Sequence, residues 1–330
     1  MDLKRVPKIE LHLHLDCSLS YQVVKKLNPD VTFDEYKKTF RADWHCHSLL
    51  DYLARAVKGV ELMQDPNALD LVTQDLFDQL KADGVIYAEI RFAPYLHLLQ
   101  GLRPEEVVDI VDDSVRRGIE RTGIDAGLIL CTLRHFTKEQ SMHTVQMVEQ
   151  FKGRSVVGFD IAADEAGYPI DNHVPAFRYA HENGLHITAH AGEACGPHSV
   201  WETLENFYPS RIGHGVRSIE DPELIKYLVR ENIHLEVCPT SNLQTGIYKN
   251  IHDHPADRLF NAGISMSINT DGRTISNVDL TEEYGKLRDN FGWGFDHFAK
   301  CNLFALEAAF ISDERKGKIK DRLLEGWKRG

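Results

Sequence analysis

Ile9-Glu10-Leu11-His12-Leu13-His14-Leu15-Asp16, near the start of the chain, places leucines and polar residues alternately. In a strand, residues i and i+2 point the same way. Leu11, Leu13 and Leu15 then share one face, and His12 and His14 share the other, roughly 6–7 Å apart along the backbone. Polar groups buried in such a run need partners. Either one divalent metal takes both imidazoles, or each is satisfied separately.

This is the first of a series of short apolar runs: Ile9–Leu15, Val85–Phe92, Gly127–Leu133, Val156–Ile161, His186–His190, Arg211–His214, His234–Val237 and Ile264–Asn269. Amphipathic segments lie between them, among them Pro104–Arg121, Lys138–Phe151, Pro175–Asn183, Asp221–Glu231 and Pro255–Asn261. Gly123, Gly184 and Gly263 follow three of these, where helices commonly end. Strand and helix in alternation argue for parallel βα units. The strand runs are apolar enough to be covered on both faces. A closed (βα)8 TIM barrel is the expected fold at this length, with an open doubly wound sheet as the alternative. No Gly-x-Gly-x-x-Gly follows an early strand, so the dinucleotide fingerprint is missing. The long stretch from Ser18 to Gly84 has helical patterning and breaks the rhythm; loops of that length are usually functional. It reads as a helical lid inserted between the first and second strands, and residues 1–330 as one domain.

The 330 residues can bury a sizeable core, and 42% hydrophobic with 27% charged residues is ordinary for a globular protein. A net charge of −12 disfavours nucleic acid as a partner. The cysteines (Cys17, Cys46, Cys131, Cys195, Cys238 and Cys301) are scattered without a C-x-x-C, which reads as buried thiols in a reducing compartment. Met1–Pro7 lacks the apolar core of a signal peptide, and no run approaches a membrane span. A cytoplasmic protein, monomeric or a small homo-oligomer, is the expectation.

Polar residues gather where the strands should end. His190 lies in Ile187-Thr188-Ala189-His190-Ala191-Gly192-Glu193, His214 in Arg211-Ile212-Gly213-His214-Gly215, and Asp271 in Asn269-Thr270-Asp271-Gly272. Strand C-termini of a barrel converge on one mouth, so these residues and the His12/His14 pair should meet there. Three imidazoles and a carboxylate suit zinc, with water completing the shell. Zinc lowers the pKa of a bound water from about 15.7 towards 7, giving a nucleophile at neutral pH. Glu193, just past its strand end, is placed to carry a proton to a ring nitrogen if burial raises its pKa.

At these residues the chain resembles the adenosine deaminase family of zinc-dependent amidohydrolases. The matching strings are His12-Leu13-His14-Leu15-Asp16, His190-Ala191-Gly192-Glu193, Gly213-His214-Gly215, Cys238-Pro239-Thr240-Ser241-Asn242 and Asn269-Thr270-Asp271; Arg91-Phe92-Ala93-Pro94 and Phe159–Glu165 also look like family segments. The resemblance runs from about Lys8 to the last helix. It implies one zinc held by His12, His14, His190 and Asp271. Glu193 would protonate purine N1, His214 would orient the attacking water, and Asp271 would also accept its proton. Asp16 would hold a ribose hydroxyl, and the Ala163 backbone N–H would meet N3, a contact usually made by glycine. The implied reaction is hydrolysis of adenosine, and of 2′-deoxyadenosine, to the 6-oxo purine and ammonia.

The chain departs from its relatives at two further positions. Cys17 stands where glycine is usual. Gly272 occupies the position where many relatives carry a second aspartate that meets purine N7, so that edge of the substrate pocket lacks a side chain. Another 6-aminopurine (adenine, N6-methyl-AMP or a modified nucleoside) is the nearest rival substrate. No P-loop pattern is present, which favours a nucleoside over a nucleotide. A catalytically silent barrel that binds nucleosides or a protein is the rival of another class; Glu193, His214 and Asp271 argue against it. Trp44-His45-Cys46-His47 has the look of metal chemistry but lies off any strand end, so a structural role is expected. Arg134 and His135, after the third strand, are candidates for the edge of the site or a salt bridge.

Overall fold

A computed structural model describes residues 2–44, 46 and 48–329. The strands are β1 (Lys8–His14), β2 (Val85–Phe92), β3 (Asp125–Leu133), β4 (Val156–Ala162), β5 (Thr188–Ala191), β6 (Arg211–His214), β7 (His234–Val237) and β8 (Met266–Ile268). They form two parallel four-stranded sheets, β1-β2-β3-β4 and β5-β6-β7-β8. Bridges Phe159↔Ile187 and Leu13↔Asp271 join the sheets at both seams, which closes the barrel. The expected strands are all present, with ends shifted by no more than a few residues.

Between β1 and β2 lie α1 (Tyr21–Leu27), α2 (Phe33–Phe40), α3 (Leu49–Leu62) and α4 (Pro66–Ala82). Their starts are encoded locally. The Thr32 and Glu35 side chains form a capping box, and Asp65 accepts the N–H groups of Asn67 and Ala68 ahead of Pro66. α4 packs on β2 and on the following helix α5 (Pro104–Thr122), as an ordinary barrel helix does. The departure from βα rhythm is therefore confined to the residues before α4. Gly59 of α3 faces the Asp16 carbonyl, where a Cβ would collide, so glycine lets α3 press onto the first βα turn. His45 and His47 lie outside the described residues; Cys46 is buried against the cluster of Cys17, Leu49, Tyr52 and Ile275.

After β8, the helix Phe295–Ala308 packs on β8 and β1, and the helix Asp313–Arg329 closes the N-terminal end. There the Trp327 indole donates to the Pro7 carbonyl at 2.8 Å.

The barrel interior differs from the apolar filling that the strand runs suggested. Fully buried Arg91 reaches Asp160 at 2.9 Å and Glu236 at 2.6 Å. Buried Arg211 reaches Glu89 at 2.6 Å and Glu236 at 2.7 Å. Charges are tolerable here because each is paired and hydrogen-bonded. The apolar core lies between strands and helices.

Candidate active site

β1 ends at His14, and His12 precedes it by two; β5 carries His190; β6 ends at His214; Asp271 follows β8. Their side chains converge. Donor atoms of His12, His190, His214 and Asp271 all lie within 4.8 Å of one another, and all four residues are buried. His14 joins them, with Nε2 3.2 Å from His190 Nε2 and 3.4 Å from Asp271 Oδ1. His12 Nε2 lies 3.3 Å from the same carboxylate oxygen.

The residues behind this cluster determine what it can bind. His12 Nδ1 donates to Glu236 Oε2 at 2.8 Å, and His190 Nδ1 to Asp160 Oδ1 at 3.2 Å. A carboxylate only accepts, so each ring keeps its proton on Nδ1 and turns the Nε2 lone pair inward. His12 Nε2 is buried and has no hydrogen-bond partner. Ser241 donates to Asp271 Oδ2 at 2.6 Å, leaving Oδ1 towards the imidazoles. Burial alone would raise the Asp271 carboxyl, but the surrounding imidazoles, His12 foremost at 3.3 Å, hold it well below the usual range. Burial pushes His14 and His214 well below the ordinary histidine value. The inward Nε2 lone pairs of His12 and His190, with His14 and an ionised carboxylate beside them, fit a zinc ion.

Local backbone strain serves the same arrangement. His214 and Asp271 both adopt left-handed φ, +61° and +65°. At Gly213 a Cβ would stand 2.9 Å from His12 Cε1, so glycine makes room for that ring.

Glu193 sits on the loop after β5, its Oε2 3.6 Å from His214 Nε2. Burial raises its pKa well above the carboxylate value, helped by the negative charges of Asp271 and Glu165. Glu165 holds this loop by accepting the N–H groups of Gly192 at 2.7 Å, Glu193 at 3.1 Å and Cys195 at 2.8 Å. Burial also raises Asp16 to about 6.

A cavity of about 450 Å³ opens over these groups, bordered by His14, Asp16, His190, Glu193, His214 and Asp271. α3 supplies an apolar wall through Leu49, Leu53 and Val57, and the opposite side carries His135, Ala163 and Tyr168. Ala163 has φ +79°, which accounts for a position that favours glycine. Gly272 does not border the cavity: a Cβ there would stand 2.7 Å from Cys17 Cβ and 3.5 Å from the Tyr52 hydroxyl. The two sequence departures thus touch, with Cys17 filling the space that glycine leaves at 272. Arg273 turns away to Glu10 at 2.6 Å and Asp83 at 2.9 Å. Arg134 is not in a salt bridge among the described residues; it donates to the carbonyl of His190 at 3.0 Å.

The adenosine deaminase family model matches residues 7–326. An adenosine deaminase of Clostridium acetobutylicum is 33% identical over 325 residues, covering 96% of this chain and 97% of its own. The chain belongs to the adenosine deaminase family. Family membership makes it a hydrolase of the deaminase type. In fold it matches the crystal structure of an adenine deaminase from Arthrobacter aurescens, with TM-score 0.90, 23% identity, and 98% and 100% of the two chains covered. It also matches an N6-mAMP deaminase of Arabidopsis, with TM-score 0.88, 25% identity, and 98% and 99% of the two chains covered.

Sequence reading missed Glu236, Asp160 and Arg91 as parts of the site. The signal was present as charged residues inside strand runs, where an ion needs a buried partner.

Proposed function

We propose that this protein hydrolytically deaminates adenosine and 2′-deoxyadenosine, giving inosine or deoxyinosine and ammonia, with one zinc per chain. The observation that carries the choice of substrate is the charge of the cavity wall: no lysine or arginine is among the described residues that border it. Burial pushes the His135 imidazole down as well, so it offers no cation to a phosphate. A 5′-phosphate would enter without a counter-charge. Asp16 at the cavity floor instead offers an acceptor for a ribose hydroxyl, which free adenine lacks.

His12, His14, His190 and Asp271 are the proposed zinc ligands. Bound zinc supplies Lewis-acid activation of water at neutral pH. Glu193, kept protonated by its buried setting, delivers its proton to purine N1, making C6 electrophilic. Asp271, kept ionised, accepts the proton that the attacking water loses. His214 orients that water. The Ala163 N–H meets N3, and α3 covers the outer side of the purine, excluding solvent. Among the described residues no helix is long and apolar enough to cross a membrane.

The test is a panel of adenosine, deoxyadenosine, adenine and N6-methyl-AMP followed by ammonia release, with and without chelator. Chelator-sensitive turnover greatest for the nucleosides supports the proposal. Preference for adenine or the nucleotide overturns the substrate assignment. Glu193→Gln is expected to keep its zinc and lose about 100-fold or more of kcat; unchanged kcat refutes its role as acid.

A further inference from the structure

His214 differs from His12 and His190 in what holds its outer nitrogen. Where His12 and His190 meet carboxylates, His214 Nδ1 meets the amide nitrogen of Asn242 at 3.1 Å. The next links continue inward from a backbone donor. The Ala256 N–H, at the start of the helix Ala256–Asn261, donates to His254 Nδ1 at 3.2 Å. An imidazole that accepts at Nδ1 and is neutral carries its proton on Nε2. Burial lowers His254 to about 3, so it is neutral. His254 Nε2 therefore donates to Asn242 Oδ1, 3.2 Å away. With its oxygen so engaged, Asn242 presents its NH₂ to His214. His214 must accept at Nδ1 and keep its own proton on Nε2, the nitrogen nearest Glu193. His214, Asn242 and His254 are all buried, so water does not compete for these bonds.

We propose that Asn242 and His254 are positioning residues that set the tautomer of His214. His214 then faces the reaction centre with an N–H donor, while His12 and His190 face it with lone pairs. The direction of the whole relay descends from one backbone amide that can only donate. This assigns different tasks to imidazoles of the same cluster: the lone pairs take the metal, and the donor is reserved for an oxygen. The inference rests on the metal-dependent deamination proposed above, but its first readout does not need turnover.

Histidine-selective ¹⁵N labelling with long-range ¹⁵N–¹H correlation reads the tautomer of each ring in the zinc-loaded protein, and the His214→Gln spectrum assigns the ring. Wild type is expected to carry the His214 proton on Nε2. Asn242→Asp offers Nδ1 an acceptor and should move the proton there. Its kcat should fall about 100-fold or more, as for a catalytic histidine in the wrong tautomer, with zinc content unchanged. KM should stay within about threefold, because the lost contact is to the reacting oxygen. His254→Gln keeps a side-chain N–H for Asn242 and should hold kcat within about threefold; His254→Leu should lose at least about tenfold. A wild-type spectrum with the proton on Nδ1 overturns the proposal, as does full kcat in folded Asn242→Asp. If that variant does not fold, the wild-type spectrum and the His254 pair decide alone. A protein that spares adenosine but shows the expected spectrum refutes the substrate assignment and leaves the relay standing.

Discussion

Replacing Glu236 by glutamine tests whether the charged barrel interior builds the metal site. The Glu236 carboxylate accepts from His12 Nδ1 at 2.8 Å and Arg91 at 2.6 Å on Oε2 and from Thr188 at 3.0 Å on Oε1, where the Arg211 guanidinium also forms an ion pair at 2.7 Å. Burial alone would raise its pKa, but Arg91 and Arg211 hold it well below the usual range, so it is an anion. Glutamine fits the same volume with one acceptor oxygen and one donor amide. If the amide faces Oε2's partners, it opposes Arg91 and drives the His12 proton to Nε2, where the metal lone pair should be. If it faces the other way, Arg211 and Thr188 meet a donor. Each orientation also leaves two guanidinium groups short of a buried negative charge. Breaking a buried ion pair from one side costs about 3–5 kcal/mol. Loss of a group that orients a metal ligand lowers metal affinity about 10–100-fold, or about 1.4–2.7 kcal/mol. Urea denaturation of the metal-free protein measures the first quantity, and competition with a chromophoric chelator measures the second. Unchanged zinc affinity in folded Glu236→Gln would refute the claim that the Glu236 charge behind His12 supports the metal site, even if stability fell as expected.

Two further expectations concern substrate and pH. Because position 272 has no side chain and Cys17 covers it, 7-deazaadenosine should lose no more than about tenfold in kcat/KM, the worth of about one neutral hydrogen bond; a larger loss would show that another group, such as the Tyr52 hydroxyl, reads N7. Burial lowers His97 from 6.5 to about 4, against the opposing hydrogen bond to the Met63 carbonyl. The unfolded chain takes up this proton as pH falls through 6.5, whereas the folded imidazole stays neutral until about 4. Stability is therefore lost on acidification across that window, by about 1.3 kcal/mol from this group between pH ~7.5 and ~5.5. His97→Gln should lose that much less, measured by urea denaturation with chelator present in both proteins; equal losses would contradict the assignment.

The alternation of β-branched runs with capped amphipathic segments is local information, and the eight βα units follow from it. So does the placement of His12, His14, His190, His214 and Asp271, because every strand of a parallel barrel delivers its C-terminal end to the same mouth. What surrounds those residues was not legible in this way. His12 and Glu236 are 224 residues apart, and Arg91 and Glu236 are 145 apart. Their pairing exists only because barrel closure brings β1, β2 and β7 around one interior. Contact between Cys17 and Gly272 likewise depends on the seam between β1 and β8, and the His254–Asn242–His214 relay on how β6 and β7 lie side by side. Residue types along a chain name the atoms that can bind a metal. Which nitrogen keeps its proton is decided by the partner on the ring's far side, and only the closed barrel supplies that partner.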